Sequence, residues 1–430
     1  MPNENLSARK AAFQVLLRIE KESAYSSVLL PQAEAELADL DRGLCHELVL
    51  GSLRRQIYLD RLIDTLATGR KLDIEVRIAL RLAIYQIYFL DKIPDHAAIS
   101  ESVDLVQFAR KTSSKGFVNA ILRKATREQP EISFVDETDR TSVETSHPRW
   151  LIEKWARDHC VDRAASLATA NNETPPTSYR LLNDSDEVTA LVDSSNRSDF
   201  VDGCFTTVNG AAAANDLAEA GYIYIQDEAS QMIAQAVAVP DGGRFADLCA
   251  APGGKTGLIA RLNPTASITA CDIHESRVRF LEANCRKQDV DVEVFQCDAT
   301  QVMPFEAGSF DTVLVDAPCS GTGTIRRNPE IRYSLSPEDI VELQNKQLAI
   351  LKNASKLIKV GGSLVYSTCS LEVEENENVA MAFSMQNAGF SLRDPAVPQG
   401  FLTEGGFART WPDRDSMDGF FIACFVRQKE

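Results

Sequence analysis

The chain has no apolar run of the roughly 18 residues that a bilayer span needs, which argues against a membrane protein. Its ten cysteines include no C-x-x-C pair, so neither a zinc site nor a disulfide framework is expected. Reduced thiols in a cytoplasm suit such scattered cysteines best. The opening Met1-Pro-Asn-Glu-Asn5 lacks the basic start and apolar stretch of a signal peptide. The dinucleotide fingerprint G-x-G-x-x-G is missing, and so is the spacing of a P-loop. Basic charge is also short. A net charge of −17 excludes non-specific nucleic-acid binding over the whole surface and leaves only a local basic face for that purpose.

What is present describes a globular protein, with 44% hydrophobic and 25% charged residues. A length of 430 residues exceeds one ordinary core, so two or three domains are expected. From Ser7 to about Arg127 the pattern is helical. Ala12, Val15, Leu16 and Ile19 recur with helical spacing behind Ser7 as N-cap. Leu44, Leu48, Leu53, Ile57 and Leu62 predict a second helix, and Ile74 to Leu90 a third, apolar almost all round and therefore buried. His96–Arg110 and Phe117–Ala125 complete a bundle. Its later part carries Arg110, Lys111, Lys115, Arg123, Lys124 and Arg127, which is either a solvated face or an RNA-facing patch.

The acidic stretch at 131–145 reads as a linker. A helix opens at Ser146-His-Pro-Arg-Trp150, where His147 is expected to be structural, and an irregular part with two strand-like runs extends to about residue 225. Beyond it strands and helices alternate, which predicts a mostly parallel, doubly wound sheet. The expected domains are 1–130, 146–225 and 226–430.

The stretch Phe245-Ala-Asp-Leu-Cys-Ala-Ala-Pro-Gly-Gly-Lys-Thr256 organises that last part: a short strand, a glycine turn and a helix start. In open α/β sheets the ligand lies at the carboxyl end of such a strand, against the helix N-terminus. Four strands in succession end in an acid: Asp247, Asp272, Asp298 and Asp316. Asp272, about 20 residues past the turn, is placed to accept from ribose hydroxyls, and Asp298 from an adenine amino group. Each acid alone could equally cap a helix. Together they imply a nucleoside-bearing ligand. Cys319 in Asp316-Ala-Pro-Cys-Ser and Cys369 in Tyr366-Ser-Thr-Cys-Ser lie just past strands, facing the crevice, as candidate nucleophiles.

Two resemblances rest on these residues. Ala11-Ala-Phe-Gln-Val-Leu16, Leu80-Arg-Leu-Ala-Ile-Tyr-Gln-Ile87 and Gly116-Phe-Val-Asn-Ala-Ile-Leu-Arg123 resemble the NusB-like RNA-binding domain. Cys249-Ala-Ala-Pro-Gly-Gly-Lys255 with the two cysteine motifs resembles the RNA (cytosine-5) methyltransferases that use S-adenosylmethionine. That resemblance implies a Rossmann-like catalytic domain. Cys249, Ala250, Ala251, Pro252, Gly253, Gly254, Lys255, Asp272, Asp298 and Asp316 would bind S-adenosylmethionine. Cys369 would be the nucleophile, Cys319 would assist release, and Asp316 in its acid form would protonate the base at N3. In the part at 146–225 this chain has Arg180-Leu-Leu-Asn183 where relatives show Arg-x-Asn. With the helical domain in front, the resemblance implies methylation of a cytosine in small-subunit ribosomal RNA before full assembly, by a cytoplasmic monomer without metal. Transfer RNA as substrate, or a non-catalytic role in ribosome assembly, are the alternatives; a nicotinamide oxidoreductase is disfavoured by the missing fingerprint.

Overall fold

The computed structural model describes residues 6–22, 24–128 and 130–428. Residues 1–5, on which the expectation of no signal peptide rests, lie outside them. The chain divides into two compact units: Met1–Glu173 with Ile325–Ser334, and Thr174–Thr324 with Leu335–Glu430.

The first unit is helical: α1 (Ala8–Glu22), α2 (Ser26–Ala35), α3 (Asp39–Arg54), α4 (Gln56–Leu66), α5 (Ile74–Phe89), α6 (Asp95–Phe108), α7 (Lys115–Ala125), α8 (Glu137–Thr145), α9 (Arg149–Asp158) and α10 (Val161–Ala170). Residues such as Phe13, Leu48, Leu62 and Ile84 form its apolar core. The second helix expected from the sequence is two, α3 and α4, with a break at Arg55. The hydroxyl of Ser146 closes that break, accepting from the Tyr58 N–H at 3.0 Å in the first turn of α4. Helix α5 is not apolar all round: buried Arg81 donates to Asp60 at 2.8 and 2.7 Å and also bonds Glu20.

The stretch at 131–145 is no open linker. Its acids have local work: Asp136 caps α8 by accepting from the Asp139 N–H at 2.8 Å, and Asp139 pairs with Arg61 at 2.9 Å. Composition alone could not distinguish acids that cap and pair from acids that solvate a tether. The unit therefore runs to Glu173, past the expected boundary at residue 130. His147 is buried and structural. Its Nδ1–H donates to the Thr145 carbonyl at 2.9 Å, and Nε2 accepts from Asn171 Nδ2 at 3.3 Å.

The second unit starts with a four-stranded antiparallel sheet in the order β2-β3-β1-β4, from β1 (Thr177–Leu181), β2 (Asn196–Arg197), β3 (Cys204–Thr207) and β4 (Ile223–Ile225), with α11 (Asp186–Asp193) and α12 (Ala211–Glu219). The main sheet follows: α13 (Glu228–Ala236), β5 (Arg244–Asp247), α14 (Gly254–Leu262), β6 (Ser267–Asp272), α15 (Glu275–Lys287), β7 (Glu293–Gln296) and β8 (Phe310–Asp316). After β8 the chain passes through Ile325–Ser334, with α16 (Ile331–Ser334), in the helical unit. It returns as α17 (Pro337–Leu357), β9 (Ile358–Thr368), α18 (Glu377–Gln386), β10 (Phe390–Arg393), β11 (Ala408–Arg409), α19 (Pro412–Asp415) and β12 (Phe421–Arg427).

The order β10-β12-β9-β8-β5-β6-β7 is parallel from β9 to β7 and antiparallel at β12 and β10, with β11 pairing β12. Chain order reverses between β5 and its neighbours β6 and β8, so the crevice opens at the carboxyl ends of those strands. Apolar clusters pack both faces, including Phe310 with Leu364 on one and Phe245 with Ile259 on the other. The fold class read from the sequence, a helical bundle followed by a doubly wound sheet, is the one observed. Among the described residues no helix is long and apolar enough to cross a membrane.

Candidate active site

The turn after β5 is shaped by Gly253, whose φ of +100° is a left-handed conformation that glycine alone adopts without penalty. The carbonyls of this turn are held from outside. Arg277 donates to Ala251 O at 2.8 Å, Asn284 to Pro252 O at 2.8 Å and Gln288 to Gly253 O at 3.3 Å. From β1, Arg180 reaches Gly254 O at 3.3 Å, with its guanidinium 4.8 Å from the centre of the Tyr224 ring. Burial lowers the Arg180 guanidinium to about 10. Arg180 therefore props the turn from beneath, while Asn183 bonds the Gly221 carbonyl.

A cavity of about 240 Å³ opens at the ends of β5, β6 and β8. Of the residues expected to bind cofactor, Cys249, Ala251, Asp272, Asp298 and Asp316 line it, and so do Cys319 and Cys369. Ala250, Pro252, Gly253, Gly254 and Lys255 are not among its lining residues. Ile273, Cys297, Lys346 and Ile350, which carried no motif signal, are. Asp272 is buried and accepts from the His274 N–H at 3.2 Å, with Arg277 Nε 3.3 Å away. Asp298 accepts from the Thr300 N–H at 2.9 Å and its hydroxyl at 2.7 Å, and these bonds hold its carboxyl below the usual range. Each acid thus closes a local turn while facing the cavity. Two buried or hydrogen-bonded carboxylates lining one cavity with apolar Ile273 and Ile350 fit the hydroxyls and flat base of a nucleoside, so the residues present suit S-adenosylmethionine.

Asp316 does not stand as a free acid. Lys255 Nζ donates to one oxygen at 2.6 Å and Ser367 Oγ to the other at 2.7 Å. Burial pulls the Lys255 ammonium down, but the Asp316 carboxylate more than offsets it and the net direction is up. The two form an ion pair, with Asp316 in the cavity lining. Asp247, by contrast, is buried away from the cavity lining and pushed to about 7 by burial, with Thr256 Oγ1 donating at 2.7 Å.

The two candidate thiols come from neighbouring parallel strands. Pairing of β8 with β9 places Asp316 opposite Ser367, and the ladder continues beyond both strands through Ala317 N to Ser367 O at 2.8 Å and Gly323 N to Cys369 O at 2.9 Å. A side chain at Gly323 would lie 1.9 Å from the Gly419 carbonyl oxygen, so the loop closes there only around glycine. Cys319 Sγ and Cys369 Sγ end 3.2 Å apart. Contact with Cys369 and burial push the Cys319 thiol well above its ordinary value, and either sulfur can donate to the other. Cys45, Cys204, Cys271, Cys285 and Cys424 are buried, in keeping with a packing role, and Cys160 is exposed. Sequence reasoning missed Glu375, a buried acid behind both cysteine loops; its one signal was an acidic residue following the Ser-Thr-Cys-Ser motif closely.

Residues 234–426 match the family model for 16S rRNA methyltransferase RsmB/F, and residues 6–127 that for the NusB family. The chain is 34% identical over 444 residues to the probable ribosomal RNA small subunit methyltransferase B of Bacillus subtilis strain 168, covering 98% of this chain and 99% of that one. It is 31% identical to ribosomal RNA small subunit methyltransferase B of Escherichia coli K12, covering 98% of both. The solved structure of PH0851 superposes with a TM-score of 0.82 at 25% identity, over 98% of this chain and 99% of that one.

Proposed function

The chain belongs to the RsmB/F family of 16S rRNA methyltransferases, and from that premise we propose that it methylates C5 of a cytosine in small-subunit ribosomal RNA through a covalent bond from Cys369 to C6. S-adenosylmethionine, when bound, supplies an electrophilic methyl group on a sulfonium centre. Asp272 and Asp298 would hold its nucleoside part. Cytosine C5 is too weak a nucleophile to accept a methyl group unaided. Addition of the Cys369 thiolate to C6, with a proton delivered to N3, makes C5 an enamine-like carbon. The Lys255–Asp316 pair is the proton carrier beside the thiols, with Asp316 acting through Lys255. After C5 has taken the methyl group, a base takes the C5 proton, the C5–C6 double bond re-forms as Cys369 leaves C6 as the thiolate, and N3 returns its proton to the Lys255–Asp316 pair. Cys319 assists that step.

The observation that carries the reading is the pair of thiols 3.2 Å apart at the cavity. A free thiol is only a few per cent ionised at neutral pH, so the attacking cysteine needs help from its surroundings. The target base has to be unpaired or flipped out to present its C6 face. For the RNA strand, a groove of about 690 Å³ on the helical unit is lined by Lys115, Arg123 and Arg127 together with Asp95 and Asp104. Lys111 is taken up by Asp73 at 2.8 Å, so the basic face is narrower than the sequence suggested.

Bisulfite sequencing of ribosomal and transfer RNA from a strain lacking the gene tests the substrate. Loss of protection at one small-subunit cytosine, restored by the purified protein with labelled S-adenosylmethionine, is the expected result. Loss confined to transfer RNA, or no loss at all, would overturn it.

A further inference from the structure

The acid Glu375 is used by none of the steps above, yet its side chain is fully buried. A carboxylate in such a place needs donors, and it has four. The Ser320 N–H and Gln347 Nε2 donate to one oxygen, both at 2.9 Å. The hydroxyl of Ser370 donates to the other at 2.5 Å, and the Ser320 hydroxyl donates there too. Ser320 directly follows Cys319, and Ser370 directly follows Cys369. Two further bonds tie the same point down. Gln347 also donates to Pro318 O at 3.0 Å, on the other side of Cys319, and the Tyr366 hydroxyl donates to the Glu375 carbonyl at 2.5 Å. One carboxylate is thus the shared acceptor of the residues that follow both thiols.

We propose that Glu375 is the positioning residue of the thiol pair: by accepting from Ser320 and Ser370 it fixes the spacing of Cys319 and Cys369 on which the passage from attack to release depends. The inference rests on the roles given above to Cys369 and Cys319. Attack needs only one sulfur at C6, whereas release needs the second sulfur beside the adduct. A loosened pair therefore fails later than it attacks. Glu375 is not among the residues lining the cavity, so it acts through the two loops.

The test uses the full-length Glu375→Gln and Ser370→Ala proteins, the second cutting the link to the Cys369 loop alone. Without RNA, phenylarsine oxide reads the spacing: arsenic bonds two adjacent thiols and its oxygen leaves as water. Peptide mapping should find Cys319 and Cys369 bridged in the unaltered protein, and bridging slowed in both variants. With RNA and S-adenosylmethionine, kcat should fall about ten- to hundredfold in Glu375→Gln, the range for losing a charged acceptor. KM for RNA and cofactor affinity should be unchanged, and a protein–RNA adduct should accumulate. A purely structural role would lower the melting temperature and leave bridging and adduct fraction as they were. Should Glu375→Gln not fold, Ser370→Ala decides. Variants that fold, bridge and turn over like the unaltered protein overturn the proposal. If the unaltered protein bridges its thiols but never methylates RNA, the functional reading fails instead, and the bridging comparison still judges Glu375.

Discussion

In the sheet unit buried Asp247 and Glu375 and half-buried Lys255 and Asp316 gather at or behind the carboxyl ends of β5, β8 and β9, next to two thiols and a cavity. In the helical unit Arg81, Glu330 and Arg332 are equally hidden, and each is closed off by partners of its own. Arg332 donates to Thr145 O at 3.2 Å, Asn172 Oδ1 at 2.9 Å and Asn171 O at 3.2 Å; Glu330 accepts from the Ser26 N–H at 2.7 Å; the Tyr333 hydroxyl donates to Leu53 O at 2.6 Å. Burial is costly in both places. In one unit Asp316 lines the cavity with the two thiols, and Asp247 and Glu375 lie outside that lining. In the other the buried charges sew Ile325–Ser334, a segment leaving the sheet just past the Cys319 loop, into the helices. The helical unit is therefore not an appendage ending at residue 130.

The largest effect that can break this contrast is truncation. Removing residues 1–130 takes away Ser26, Leu53 and α4, on which α8 packs. Limited proteolysis should then cut freely within 131–173 and 325–334. A truncated chain that keeps both protected would restore the simpler picture of a separate helical domain. Next comes Arg332→Ala, which removes the hydrogen bonds to Thr145 O, Asn171 O and Asn172 Oδ1 and leaves a void; it should cost roughly 3–5 kcal/mol of helical-unit stability, read by denaturant melting. In the sheet unit a charged residue should matter to binding more than to folding. Asp272→Ala should raise the dissociation constant for S-adenosylmethionine about ten- to hundredfold, from a lost charged hydrogen bond of roughly 1.5–3 kcal/mol. Calorimetry showing unchanged affinity in a folded variant would remove Asp272 from the site.

The smallest effect is the pH dependence of the helical unit. Burial first, and the Arg332 charge second, hold His147 well below its ordinary value. Below about pH 6.5 the unfolded chain binds a proton that folded His147 refuses, so stability falls with acidification by at most about 1.4 kcal/mol per pH unit. Above that range His147 is neutral in both states and contributes no slope. Melting temperatures between pH 7.5 and 5.5 should fall more in the unaltered protein than in His147→Gln.

Much of the sheet unit was legible because its chemistry lies in contiguous runs. A strand, Ala-Pro-Gly-Gly-Lys and a helix can be read from neighbouring residues, as can a strand ending in Asp316 before Pro-Cys. What escaped depends on residues far apart in sequence. Ser146 caps α4 from 88 positions away, and Glu330 receives Ser26 from 304 positions away. Nothing nearby in sequence announces Lys255 as the partner of Asp316. The linker reading failed for the same reason, since Asp139 needs Arg61 to make sense. Glu375 was hidden among acidic neighbours whose side chains a sequence cannot orient.

The account turns on two sulfurs with different duties, and one denaturing gel separates them. With RNA and S-adenosylmethionine present, Cys319→Ala should give a retarded band, a protein–RNA adduct that has formed and cannot release. Cys369→Ala should give none and transfer no methyl group. An adduct with Cys369→Ala and none with Cys319→Ala would exchange the roles, and full turnover by both would contradict the covalent mechanism itself.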